Sequence, residues 1–227
     1  MANQAMTGIA FGLGMAFLAT RSVRADDQAA WMKFMSDPVL QQHVLSAAGR
    51  STVVLQNPCP EAQYSARKTF IAHAPVNFEG TGQMVSGAFR QVVDEQGCGI
   101  KRVLNVLILA GGPDDLKVMP LLPGTTHADA TLQKDAVKYA VQALGTVPGG
   151  REANCQIGYV ADTEFLDQEN TALPGSKGPA WREIWTLASC TQSMRVPMRF
   201  IPDPTGTTIS AGPSTAIQVI PLAAPHP

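Results

Sequence analysis

Apolar residues recur at helical spacing in two parts of the chain. Val39, Leu40, His43, Val44 and Ala47 form one stripe; Leu132, Ala136, Val137, Ala140, Val141 and Leu144 form the other. Asp37-Pro38 marks the start of the first helix, a capping carboxylate followed by proline at the first helical position, and Gly49 ends it. Asp129 and Gly145 bracket the second in the same way. A further helix is predicted near 27–35, carrying Trp31, Phe34 and Met35. After each capped helix the pattern changes to strand-like runs. They cover 63–72, 83–95, 101–110 and 115–121 after the first, and 155–165, 180–189, 193–201 and 206–211 after the second. Turn residues divide them at Gly97-Cys98-Gly99, Gly111-Gly112-Pro113-Asp114 and Asp203-Pro204-Thr205-Gly206. The Pro-rich end from Pro213 to Pro227 holds one more candidate strand at Ala216 to Ile220.

The two halves resemble each other in order and spacing. Ala88-Phe89-Arg90-Gln91-Val92 precedes Cys98, and Ala180-Trp181-Arg182-Glu183-Ile184 precedes Cys190, eight residues separating Arg from Cys in both. Gly49 stands ten residues before Cys59, and Gly145 ten before Cys155. Tyr64, Ala66 and Phe70 follow the first of these cysteines; Tyr159, Ala161 and Phe165 follow the second. Such an ordered series predicts a duplication. The expected fold is therefore α+β, a tandem repeat in which each copy is a helix followed by a four-stranded antiparallel meander. The expected division is 1–25 as a leader, 26–128 as the leading helix plus first repeat, and 129–227 as the second repeat plus a Pro-rich tail.

Composition narrows the class. The chain has 227 residues, 45% hydrophobic and 15% charged, with a net charge of -1. Ordinary apolar content and low charge exclude a disordered polyelectrolyte. The absence of a basic excess speaks against nucleic acid as a partner. Residues 6–20 are apolar or small throughout and lead to Val23 and Ala25, a secretory-leader pattern too short to span a bilayer comfortably. Its departure from the pattern is that Arg21 and Arg24 follow the apolar core and no basic residue precedes it, the placement an uncleaved anchor would use in the opposite orientation. Cleavage is the preferred reading. It predicts a periplasmic or secreted protein with no stable transmembrane segment after cleavage.

An exported chain meets an oxidising compartment, so its four cysteines are expected to pair. Cys59 falls at the start of the first strand of its meander and Cys98 at the end of the second, which antiparallel neighbours bring together. Cys155 and Cys190 stand in the same relation. Of the three connectivities open to four cysteines, the within-copy pairing is expected. There is no C-x-x-C and no histidine beside a cysteine, so neither a metal nor a cofactor is called for.

The sharpest local feature is Trp181-Arg182-Glu183-Ile184-Trp185. On a strand Trp181, Glu183, Trp185 and Leu187 share one face. A carboxylate between two indoles suits either a general acid or an amphipathic ligand site, with Arg182 beside it. It also suits core packing, with Glu183 paired to Arg195 or Arg199 on the neighbouring strand. His43, His73, His127 and His226 form no H-x-x-x-H pair, and no serine lies in a G-x-S-x-G turn. The acidic pairs Asp114-Asp115 and Asp162-x-Glu164 are expected in solvated turns.

Trp181-x-Glu183-x-Trp185-x4-Cys190, followed by Val196-x3-Phe200-x2-Asp203-x2-Gly206-Thr207-Thr208, resembles a segment of uncharacterised exported proteins of Gram-negative bacteria. The resemblance covers about 30 residues and implies an envelope location without an activity. A glycine often follows the cysteine in those proteins; Gly99 does so here after Cys98, while Thr191 follows Cys190. The expected function is a non-enzymatic binding or envelope-interaction module of two disulfide-stapled repeats. Its partner would be a small molecule, an envelope polymer or a protein. The rival expectation is a hydrolase using Glu183 as general acid or base in a cleft between the repeats.

Overall fold

The computed structural model describes residues 25–79, 82–112, 114–150, 155 and 158–222. The predicted leader falls almost wholly outside the described residues, as does His226. Among the described residues four α-helices precede or divide two antiparallel sheets, an α+β architecture: α1 (Ala25–Met35), α2 (Pro38–Gly49), α3 (Thr52–Gln56) and α4 (Ala130–Leu144). The first sheet is a meander of β1 (Gln63–Phe78), β2 (Met84–Gly97), β3 (Ile100–Ala110) and β4 (Leu116–Pro120). The second is a meander of β5 (Tyr159–Ala172), β6 (Pro179–Ala188), β7 (Gln192–Asp203) and β8 (Gly206–Ala211). Its fifth strand, β9 (Gln218–Pro221), pairs the far side of β7 beside Gln192 to Arg195. No described helix is long and apolar enough to cross a membrane.

The helix starts form for the reasons the sequence suggested. The Asp37 carboxylate accepts from Val39 N at 2.7 Å with Pro38 leading the helix, and Asp129 accepts from Leu132 N at 2.8 Å. Each satisfies a backbone donor that has no partner inside the helix. The buried stripe of α2 is Leu40, Val44, Ala47 and Ala48, and Val39 and His43 face solvent instead. α2 sets its buried stripe against β1, β3 and β4, and Val39 and His43 fall outside that strip. In α4 the stripe is Ala136, Ala140 and Leu144, with Val141 exposed. Each sheet has its own core. One packs Phe34, Val44, Ala48, Val53, Phe89, Val93, Leu104 and Ile108. The other packs Ala136, Ala140, Trp185, Val196, Met198 and Phe200.

Two departures from the sequence pattern matter. Residues 52–56 form a helical turn, α3, although Val53, Val54 and Leu55 carry strand-like propensity; Val53 and Val54 are drawn into the first core. Strands β1 and β5 run well past 72 and 165. Both are outer strands of their meanders, exposed over much of their length, so apolar alternation does not mark their ends. Pro75 is tolerated in β1 because it lies where the pairing with β2 is interrupted, between His73 and Asn77.

The disulfides are Cys59–Cys98 and Cys155–Cys190, with Cα–Cα distances of 5.9 and 5.7 Å. Each ties the tip of the second hairpin to the approach to the first strand. Cys98 has φ 48 between two left-handed glycines, and Gly97 packs on Cys59 Sγ and the backbone of Glu61 and Ala62. The covalent loops span 39 and 35 residues. In the chain-entropy account each closure stabilises by about 4 kcal/mol. Non-reducing peptide mapping should recover these two linkages and no cross-linkage between the sheets. Replacing either pair by serines should lower the unfolding free energy by about 2–5 kcal/mol in a denaturant titration.

Candidate functional site

The chain leaves the first sheet at Leu121 and enters α4 at Ala130, and this linker is buried at Pro123, Gly124, Thr126 and Ala128. Leu121 N donates to Asn105 O at 2.8 Å and Gly124 N to Val103 O at 2.7 Å, so the linker continues β4 along β3. The Asn105 amide donates to Leu122 O and Gly124 O, both at 2.9 Å. The linker then crosses to β5. Thr125 N donates to Thr163 O at 2.6 Å, and Phe165 N donates to Thr125 Oγ1 at 2.9 Å. The Thr163 hydroxyl accepts from Thr126 N and donates to Pro123 O. Gln133, on the first turn of α4, accepts from Leu122 N at 3.0 Å and donates to Ala128 O at 2.9 Å. Gly124 is required: at φ +95 a Cβ would lie 2.0 Å from Thr163 O.

Glu183 completes the crossing. It is fully buried, and its carboxylate accepts from three N–H groups: Trp181 Nε1 at 2.8 Å, Trp185 Nε1 at 2.7 Å and the backbone of His127 at 2.8 Å. The expected ion pair with Arg195 or Arg199 does not form. In the β6–β7 register Glu183 stands opposite Met198, whereas Arg199 stands opposite Arg182 and Arg195 opposite Thr186, on the other face. Arg195 pairs with Glu164 at 2.9 Å and Arg199 with Glu169 at 2.7 Å. Arg182 pairs with Asp167, also on that solvent face. Of the four residues singled out in the sequence, Trp181, Glu183 and Trp185 come together beneath α4, and Trp181 stacks on Phe200 with centroids 5.0 Å apart. Arg182 is turned away from them.

Two of the hollows beside the linker are lined in part by β3. The larger, of about 560 Å³, lies between α3, β3, β5 and the linker, and Arg102, Tyr159, Asp162 and Thr163 line it. Arg102 is held there by Glu95 at 3.2 Å and by Val53 O and Asn57 O. Tyr159 accepts from Asn57 Nδ2 at 2.7 Å, a further bond between the halves. Asp162 and Glu164 lie on a strand and not in the expected turn. Burial raises the pKa of the Asp162 carboxyl, partly offset by the Thr163 backbone N–H.

The smaller hollow, of about 420 Å³, opens on the outer face of the first sheet. Phe70, Ala88, Leu107, Leu109 and Leu121 make its apolar walls, and His73, Arg90, His127, Asp129 and Thr131 are its polar groups. Arg90 Nη1 donates to Thr126 O at 2.6 Å, and the guanidinium lies over the Phe70 ring, 5.0 Å from its centre. The His127 ring stacks on Phe165 at 3.8 Å. Burial lowers the pKa of both Arg90 and His127, and Glu183 behind the linker partly restores each. Arg90 was visible in the sequence only as part of a repeated motif, and nothing in its neighbours marked it as a polar group of a hollow. Among the described residues no group of three or more His, Cys, Asp and Glu stands close enough to hold a metal ion.

No protein-family model, curated protein or solved structure matches the chain.

Glu183→Gln keeps the side-chain shape but turns an amide NH2 toward an N–H donor. It should destabilise by about 2–3 kcal/mol in chemical denaturation, while Arg182→Gln on the solvent face costs less than about 1 kcal/mol. Asp162 has its pKa raised by folding, so the folded state holds its proton more tightly than the unfolded chain. Stability is lost as pH rises from the ordinary aspartate value, about 3.9, through the raised one. Asp162→Asn should therefore raise the melting temperature at pH 7, and that gain should vanish at pH 3.5.

Proposed function

We propose that the chain is an exported, non-enzymatic binding protein built from two copies of one disulfide-stapled unit, with its ligand received in the hollow between the first sheet and the linker. The duplication draws support from equivalences held over 92 positions. Asp37 and Asp129 both cap helices; Gln41 and Gln133 both turn back to a lead-in carbonyl, Met35 O and Ala128 O. Val44 matches Ala136 and Ala48 matches Ala140 on the buried helix faces. Phe89 stands opposite Ile108, and Trp181 opposite Phe200, so both strands of the central pair shift together. Export draws support from two disulfides, which persist in oxidising compartments, and from the apolar leader.

The observation that carries the binding reading is the smaller hollow. It has the size of a small-molecule site and the expected make-up, apolar walls with few polar groups. A hydrolase built on Glu183 gains no comparable support. A general acid or base must reach a substrate proton, whereas this carboxylate is wholly buried, already accepts three hydrogen bonds and lines neither hollow. Native mass spectrometry of the protein isolated from its own envelope fraction should show a co-purifying small molecule. A ligand-free monomer, or a co-purifying molecule retained in full by the Leu109→Arg variant, would overturn the reading.

A further inference from the structure

We infer that the hollow beside Arg90 takes an amphipathic monocarboxylate, the carboxylate on the guanidinium and the hydrocarbon along Phe70, Leu107 and Leu109. This names the ligand class for the binding site proposed above and rests on that proposal.

The first support is the state of Arg90. Arg67, Arg102, Arg182, Arg195 and Arg199 each have a carboxylate within ion-pairing distance. Arg90 is drawn back from solvent with only the Thr126 carbonyl as a hydrogen-bond partner among the described residues. A guanidinium carries five N–H donors in a planar fork that matches a carboxylate bidentately. One is used by Thr126, and the Phe70 ring holds the plane from one side. Glu183 is the counter-charge behind the linker, but its oxygens are committed to the two indoles and to His127 N.

The second support is the wall. Phe70 and Ile71 are 44% and 64% exposed at the rim, and Ala88, Leu107, Leu109 and Leu121 continue the apolar surface inward. A ligand tail covering them would bury area that water now covers. The third support is the number of charges. The titratable groups facing the hollow are Arg90, His73, His127 and Asp129. Burial lowers the pKa of His127 against the opposing pull of Glu183, with Arg90 adding to the lowering, and the Asp129 carboxylate accepts from Leu132 N at the start of α4. Among the described residues Arg90 is the one arginine or lysine lining the hollow and Asp129 adds a negative charge there, so a phosphate dianion would meet too little positive charge, and a single carboxylate on the Arg90 fork suits the lining better.

Isothermal titration at pH 7 of the intact, disulfide-bonded protein with decanoate, decanol and decyltrimethylammonium tests this. Decanoate should bind at least tenfold tighter than either of the others. Arg90→Met, which keeps the stem and loses the fork, should weaken decanoate at least tenfold and leave decanol unchanged. The wild-type headgroup comparison stands without the variant if the variant fails to fold. Equal binding of decanoate and decanol, or unchanged decanoate binding by Arg90→Met, overturns the carboxylate while leaving a binding site in place. No binding of decanoate overturns it as well, and the broader reading then stands or falls on the envelope-derived protein.

Discussion

A peptide chain that crosses between two sheets must find a partner for each polar group it buries, and the linker from Leu121 to Asp129 imposes that demand on everything around it. Of the eight polar or charged residues buried among those described, five serve the crossing: Asn105, Thr126, Gln133, Thr163 and Glu183. They come from β3, the linker itself, α4, β5 and β6, so each element near the junction is positioned by a hydrogen bond to the same short stretch. An unsatisfied buried donor or acceptor costs about 1–3 kcal/mol. The crossing is therefore cooperative, and loss of one member leaves its partners stranded. Glu183 is best understood in this company, as an acceptor that draws the chain into α4 while fixing two indoles.

The two sheets present different outer faces, and the hollow follows from that difference. On the second sheet Arg182, Arg195 and Arg199 pair with Asp167, Glu164 and Glu169, a ladder of exposed ion pairs that keeps the face wet. On the first sheet the corresponding side carries Ala88, Arg90, Val92, Leu107 and Leu109, and the linker and the start of α4 cover part of it. What remains uncovered is an apolar recess with one cation.

Much of the architecture was legible along the chain. Caps at Asp37 and Asp129, turn glycines around Cys98 and the strand alternation of β2, β3, β6 and β7 are local signals, and local physics decided them. The cysteine pairing was legible because a meander dictates which strand ends meet. The partners of Glu183 were not. Alternation told which face it shares with Trp181 and Trp185, but the choice between an arginine and a backbone N–H depends on register with β7 and on where a loop from another unit arrives. The stretch Leu121 to Asp129 reads as an ordinary polar loop because its glycine, proline and threonines are the residues of exposed turns. Its burial is a tertiary fact. The length of β1 was hidden for the opposite reason, since an edge strand exposed on both sides has no apolar period to read.

The two disulfides also divide the chain by what a protease could do to it. A cut anywhere between Cys59 and Cys98, or between Cys155 and Cys190, leaves two pieces that are still one molecule. Between Cys98 and Cys155 no covalent bridge spans the backbone, so a single cut in the linker would break the covalent link between the halves. Burial covers part of that span: Pro123, Gly124, Thr126 and Ala128 are buried, while Thr125, His127 and Asp129 between and beside them are exposed. After such a cut the halves would be held together by hydrogen bonds and packing alone.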